Sequence, residues 1–164
     1  MKKTPTLLMK ELTYIGEEII RLHSEDENNS FAPLNDDLSY KYKNDYDYDD
    51  IRTQLQELYK KELHIKSLLA KFNNETKADG TDLTVQEALV RIAQLRHEIK
   101  VLTKLANTKE YFDVKGDYYE RTSITNRVLY DVRKANADLK AAQKELTTLQ
   151  MAVDKTNLTT FIEC

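Results

Sequence analysis

Apolar residues along this chain recur in steps of three and four over four stretches, and polar residues fill the spaces between them. Leu8, Leu12, Ile15, Ile19 and Leu22 step by 4, 3, 4 and 3, which places all five on one stripe of a helix. Thr4 followed by Pro5 supplies an N-cap and a proline at the first helical position, so the spacing predicts a helix over 4–24. Gly16 inside it costs up to about 1 kcal/mol, so packing must hold this helix together. A second stripe, Ile51, Leu55, Leu58, Ile65, Leu69 and Phe72, predicts a helix over 48–73. It misses one step at Glu62, which is expected to pair with Lys66 one turn on, while Leu63 and Leu68 widen its apolar face. The third helix, over 83–107, carries Leu89, Ile92, Leu95, Ile99, Leu102 and Ala106. Thr84 with Glu87 three residues on opens it as a capping box. The fourth stripe is the longest. Val128, Val132, Ala135, Leu139, Ala142, Leu146, Leu149 and Val153 alternate steps of 4 and 3 and predict a helix over 123–156.

Two segments interrupt this periodicity. Residues 24–47 hold Glu25-Asp26-Glu27, Asn28-Asn29-Ser30 and Pro33, and then Tyr40, Tyr42 and Tyr46 among Asp and Lys, with Tyr48 just beyond. The charge asks for a solvated loop, whereas four tyrosines in nine residues ask for something to pack against. In extended backbone Tyr40 and Tyr42 share a side, as do Tyr46 and Tyr48. The segment is therefore expected to lay an aromatic edge on its own or a neighbouring chain, with Glu25 to Ser30 mobile. Residues 107–122 place aromatic and β-branched residues around Lys115-Gly116-Asp117, the pattern of a small β-hairpin near 110–121. Such a hairpin is marginal alone and needs a helix or a partner to lean on. The connector between the second and third helices is short, so those helices should fold back on one another. The expected fold is one all-α domain over 1–164, its long antiparallel helices forming a four-helix bundle or coiled coil.

Composition narrows the function more than it reveals it. Three glycines and two prolines in 164 residues leave too few turn formers for a sandwich, barrel or propeller. A net charge of −3 and a pI near 5.7 provide no basic field for nucleic acid or an anionic membrane. That charge is uneven: Ser24 to Asp50 holds nine acids and two lysines, a local −7, which leaves +4 elsewhere. The N-terminus has a basic start without an apolar core or a small-residue cleavage site, and no run of uncharged apolar residues reaches membrane-spanning length. A cytoplasmic protein is the expectation.

The caps and heptads, in this order, resemble a family of small bacterial helical proteins called septicolysin-like. The resemblance lies in Asn73-Asn74-Glu75-Thr76, in Asp79-Gly80-Thr81-Asp82-Leu83-Thr84 with Glu87-Ala88-Leu89 after it, and in Leu95 through Ala106. Asn157-Leu158-Thr159-Thr160 is similar to the family's Asn-Trp-x-Thr ending, with Leu158 in the aromatic's place. Tyr40 to Tyr48 departs from it, since a simpler acidic linker belongs there. The resemblance implies a cytolysin-like, membrane-active protein working through amphipathic helices, and it brings no catalytic residues.

Candidate chemistry is sparse. His23, His64 and His97 fall on different helices with no His or Cys one turn away, so a zinc site would need them to converge with a carboxylate. Asp45-x-Asp47-x-Asp49 opens like a calcium loop, but Asp50 and Gln56 stand where that loop needs glycine and a bidentate glutamate. An acidic helix start that suits the helix dipole is the simpler reading. The single cysteine, Cys164, excludes an internal disulfide. No phosphate loop or nucleophile motif is present. The sequence thus predicts no catalytic, cofactor or metal site, and a non-enzymatic protein that assembles with itself or with a protein partner. Its interaction residues are expected to be Tyr40, Tyr42, Tyr46 and Tyr48 together with Val132, Leu139, Leu146 and Val153.

Overall fold

A computed structural model of the chain describes residues 1–42, 45–115 and 123–164. These hold four helices, α1 (Pro5–Asn29), α2 (Tyr48–Glu75), α3 (Val85–Ala106) and α4 (Val132–Thr159). Four short strands accompany them: β1 (Lys2–Lys3), β2 (Tyr111–Lys115), β3 (Ser123–Arg127) and β4 (Ile162–Glu163). The chain divides into two compact units, residues 1–73 with 157–164, and residues 74–156.

In the first unit the expected stripe of α1 is the buried one. Leu8, Ile15 and Leu22, seven apart, are buried, and Leu12 and Ile19 between them are half-buried. Leu8 and Ile15 cluster with Ile65 of α2, and Leu22 clusters with Ile51 and Leu55. The end of α1 therefore lies against the start of α2, and the two helices are antiparallel. Thr4 caps α1, its Oγ1 accepting from the Leu7 N–H at 3.4 Å. Glu62 pairs with Lys66 at 2.6 Å, which explains the polar step in the α2 stripe. Leu63 does not widen the buried face as expected: it is 69% exposed, while Leu68 is half-buried. Periodicity did not anticipate the pairing of β1 with β4, which puts Lys2 opposite Glu163 and Lys3 opposite Ile162.

The acidic run after His23 does not leave the helix. Residues 25–29 form the last turns of α1 rather than a mobile segment. Arg21 bridges Glu18 and Glu25 on either side of it at 3.0 and 3.1 Å, and Asn28 Nδ2 donates to the Ser24 carbonyl at 2.7 Å. Neighbours one turn apart thus relieve the repulsion that charge counting predicts.

In the second unit, Asp79 reaches Thr156, Arg91 reaches Glu145 and Leu105 reaches Tyr130. The partner number falls as the first rises, so α3 and α4 are also antiparallel. The capping box is present: Thr84 Oγ1 accepts from the Glu87 N–H at 3.2 Å, and Glu87 Oε2 accepts from the Thr84 N–H at 2.7 Å. The buried stripe of α3 is Val85, Ala88, Ile92 and Leu95, and Leu89 stands one position off it at 40% exposed. Both Ala88 and Leu89 continue a 3/4 pattern into Ile92, so spacing could not choose between them.

The largest correction concerns the start of α4. Residues 123–127 are not helical but pair as β3 with β2, Tyr111 opposite Arg127 and Lys115 opposite Ser123. The Val128 N–H continues this ladder to the Glu110 carbonyl at 3.0 Å. Asp131 then caps α4, its Oδ1 accepting from the Arg133 N–H at 2.8 Å. The β-hairpin expected near 110–121 is thus real, but its return strand comes from what periodicity assigned to the helix. The β-branched pair Ile124-Thr125 suits a strand once a partner strand is beside it. The turn expected at Lys115-Gly116-Asp117 falls largely outside the described residues.

Candidate interaction surface

Residues 31–42, which follow α1, form a small hydrogen-bonded hairpin. Leu34 and Tyr40 form an antiparallel bridge, and the Lys41 N–H donates to the Pro33 carbonyl at 2.9 Å. Inside it the Leu38 N–H closes a tight turn on the Asn35 carbonyl at 2.9 Å, and the Asn35 N–H donates to the Ser39 carbonyl at 2.8 Å. Asp37 Oδ1 accepts from both the Ser39 hydroxyl and the Ser39 N–H. Those two bonds, the hydroxyl foremost, hold the Asp37 carboxyl below the usual carboxylate range. Leu38 sits at φ +64°, a left-handed conformation that glycine or asparagine adopts readily and leucine does not.

Backbone bonds close this hairpin, but its large side chains point to water. Phe31 is 84%, Leu38 77% and Tyr40 72% exposed, and Leu34 and Tyr42 are exposed as well. Within the chain itself the expected aromatic edge is not laid on a helix. Of the four tyrosines, only Tyr46 packs, against the cluster of Leu22, Ile51 and Leu55, with its hydroxyl donating to Asp26 Oδ1 at 2.9 Å. Tyr48 stays exposed, with the Arg52 guanidinium 5.2 Å from its ring centroid, and Tyr42 has the Lys41 ammonium 5.9 Å from its own. The chain reverses at 35–38, so simple strand alternation does not carry through the segment. Lys43, within the same stretch, lies outside the described residues.

Two residues that pattern reading passed over secure the base of this hairpin. Asp26, near the end of α1, receives Tyr46 on one oxygen and the Arg52 guanidinium of α2 on the other. Asp47 caps α2, its Oδ1 accepting from the Asp50 N–H at 3.0 Å, as an acidic helix start would. Asp26 was hidden in a run of acids and Arg52 in an ordinary first turn. The signal in the sequence for a surface here is Phe31, Leu34 and Leu38, apolar residues set in an acidic stretch.

The α4 residues are placed differently. Val153 is buried, and Val132, Leu139 and Leu146 are half-buried. The buried positions of α4 are Ala135, Ala142, Leu149, Ala152, Val153 and Thr156, and most of them are small residues that allow close approach. Val153 is committed to the interior and is not open to a partner. Beside it lies a groove of 480 Å³ between α3 and α4, lined by Leu89, Arg96, Met151 and Asp154 among others. On another flank Arg91 forks onto both oxygens of Glu145 at 2.7 and 2.9 Å, which keeps that carboxyl ionised to lower pH than usual.

His23 Nε2 lies 2.9 Å from the Tyr59 hydroxyl, and His64 and His97 are exposed on α2 and α3. Among the described residues no group of three His, Cys, Asp or Glu side chains is placed to hold a metal ion. None of their helices is long and apolar enough to cross a membrane.

No protein-family model matches the chain, and no curated protein matches it significantly. Over 99% of its length it is similar to the whole chain of a solved structure, that of a functionally unknown conserved protein from Corynebacterium diphtheriae. The identity is 16% and the TM-score 0.67. At that identity the likeness speaks for the fold alone.

Proposed function

We propose that this chain is a non-enzymatic interaction protein, in which antiparallel helices form the rigid support and the acidic hairpin at 31–42 forms the contact surface. Its function is to assemble with copies of itself or to dock a protein partner, and a bundle or coiled-coil arrangement of its helices serves as the scaffold. The observation that supports this is the hairpin itself: five large apolar side chains held in water on a turn closed by backbone hydrogen bonds, one of them on left-handed backbone. Clustered exposed apolar residues rimmed by charge mark interaction sites more often than scattered ones do. Backbone strain persists only where the surroundings enforce it.

A bilayer is the less favoured target, although the septicolysin-like resemblance implies one. The hairpin sits in the −7 stretch, and an anionic membrane surface repels such a charge. Size-exclusion chromatography with light scattering, run from low to high micromolar concentration, tests the reading. The expected result is a mass rising above the 19.2 kDa of one chain, or capture of a protein partner that is lost when Phe31 and Tyr40 are replaced by serine. A monomer with no partner, or dye release from anionic vesicles, would overturn it.

A further inference from the structure

The acidic hairpin has a counterpart on the same unit. Over 60–73, α2 carries Lys60, Lys61, Lys66 and Lys71 against the single acid Glu62, a local +3. All four lysines are exposed. Lys60, Lys66 and Lys71 fall on the side of the helix that holds Leu63, with Lys61 round the far side. There Leu63 stands in water and Tyr59 is partly exposed, so the face offers apolar contact between its cations. Lysine stems add more apolar surface, and their ammonium groups are attracted to tyrosine faces. This is the complement of a surface built from Phe31, Tyr40, Tyr42, Asp36 and Asp37. The chain's own hairpin leaves that face uncovered, since Tyr46 and Asp26 hold its base at the start of α2. At about 1.5 Å per residue, the lysine stretch lies roughly 18–35 Å further along the helix.

We infer that the 31–42 hairpin docks on the 59–71 face of α2 in a second copy of the chain, and does so twice in a two-fold dimer. The inference rests on the interaction reading above and names the partner. Area argues for the two-fold form. Large apolar side chains bury about 150–250 Å² each when covered, so one hairpin and its landing face bury roughly 1,000 Å². That is at the low end for a stable pair, whereas the contact repeated by symmetry reaches about 2,000 Å², within the usual range. Two α2 helices set antiparallel bring each hairpin to the other's lysines, so the contact closes on itself instead of propagating as a filament.

The test uses the full chain in sedimentation equilibrium at low and high salt. One variant carries Asp36→Lys with Leu38→Lys, and a second carries Lys60→Glu with Lys71→Glu. All four positions are exposed, and circular dichroism verifies that both variants keep their helices. The expected result is a wild-type dimer that weakens with salt, and a loss of about tenfold or more in self-association for each variant alone. An equimolar mixture of the two should dimerise again, because each contact then pairs opposite charges. A third variant, Phe31→Ser, removes apolar contact without touching charge and should also weaken the dimer. A dimer indifferent to all three variants overturns the docking site while leaving self-assembly standing. A wild-type monomer at every concentration overturns the dimer, and a captured foreign partner would then preserve only the broader reading.

Discussion

The two polar connectors of this protein, at 30–47 and at 76–84, solve the same backbone problem and end with opposite surfaces. Both close on themselves. In the second, the Ala78 N–H donates to the Leu83 carbonyl at 2.9 Å and the Val85 N–H to the Thr76 carbonyl at 2.8 Å. Gly80, at φ +69°, takes the left-handed position. There the residue type suits the backbone, Ala78 is buried, and the Asp79 N–H donates at 2.8 Å to the buried hydroxyl of Thr156 on α4. Lys155 adds an ion pair to Asp79 at 2.8 Å. In the first connector a leucine holds the left-handed position and the apolar side chains face water. A turn closed by backbone bonds therefore does not decide where its side chains go. The 76–84 connector fastens a helix pair, and the 30–47 connector displays a surface.

The sharpest way to break this contrast is to remove the core beneath the displayed surface. Leu22→Ala is expected to cost about 2–5 kcal/mol in denaturant unfolding, because Leu22 is buried against the helix start that carries Tyr46. It should also release the hairpin, read as faster proteolysis at Lys41. An unchanged midpoint would place the hairpin's support elsewhere.

Next in size is Thr156→Val, which keeps the shape of the fastening connector but strips the Asp79 N–H of its acceptor. The bond is part-buried, so the loss is expected at the low end for an unmet donor, about 1 kcal/mol. Thermal unfolding should drop accordingly, and a loss near zero would mean that water replaces the hydroxyl.

Leu38→Gly should move stability and association in opposite directions. Leucine on left-handed backbone costs about 1–2 kcal/mol, partly offset by the flexibility that glycine adds to the unfolded chain. The variant is therefore expected to unfold at an equal or slightly higher denaturant concentration while self-associating less. A clear loss of stability would show that Leu38 belongs to the core.

The smallest effect is a pH dependence. Ser39 lowers the folded-state value of Asp37, so this carboxylate contributes stability above its unfolded value and loses it as the pH falls through the folded one. The hairpin should therefore loosen in acid, below the ordinary value of 3.8. Carboxyl titration by NMR should show Asp37 returning toward that value in Ser39→Ala, and no change would assign the shift to another neighbour.

Much of the helical order was legible because its causes are local. The stripe through Leu8, Ile15 and Leu22, the Thr4 cap and the Thr84–Glu87 box all act within a turn or two of chain, where spacing alone decides. The start of α2 and the bounds of α3 followed within two residues for the same reason. The candidate surface was legible only as a region. Four tyrosines pointed to 40–48, yet Phe31 and Leu38 carry the most exposed apolar surface of the hairpin.

What the sequence by itself determined was the set of amphipathic helices and most of their caps, since hydrophobic period and capping chemistry are properties of neighbouring residues. Tertiary structure alone decided that Ala88 rather than Leu89 enters the core, and that 123–127 is a strand. It also decided that the acidic end of α1 stays helical and that one tyrosine of four packs. Three of these turned on a partner outside the local stretch: β2 for β3, Arg52 and Tyr46 for Asp26, and Leu22 for Tyr46. A local pattern leaves such alternatives close in energy, and contact with a distant element separates them.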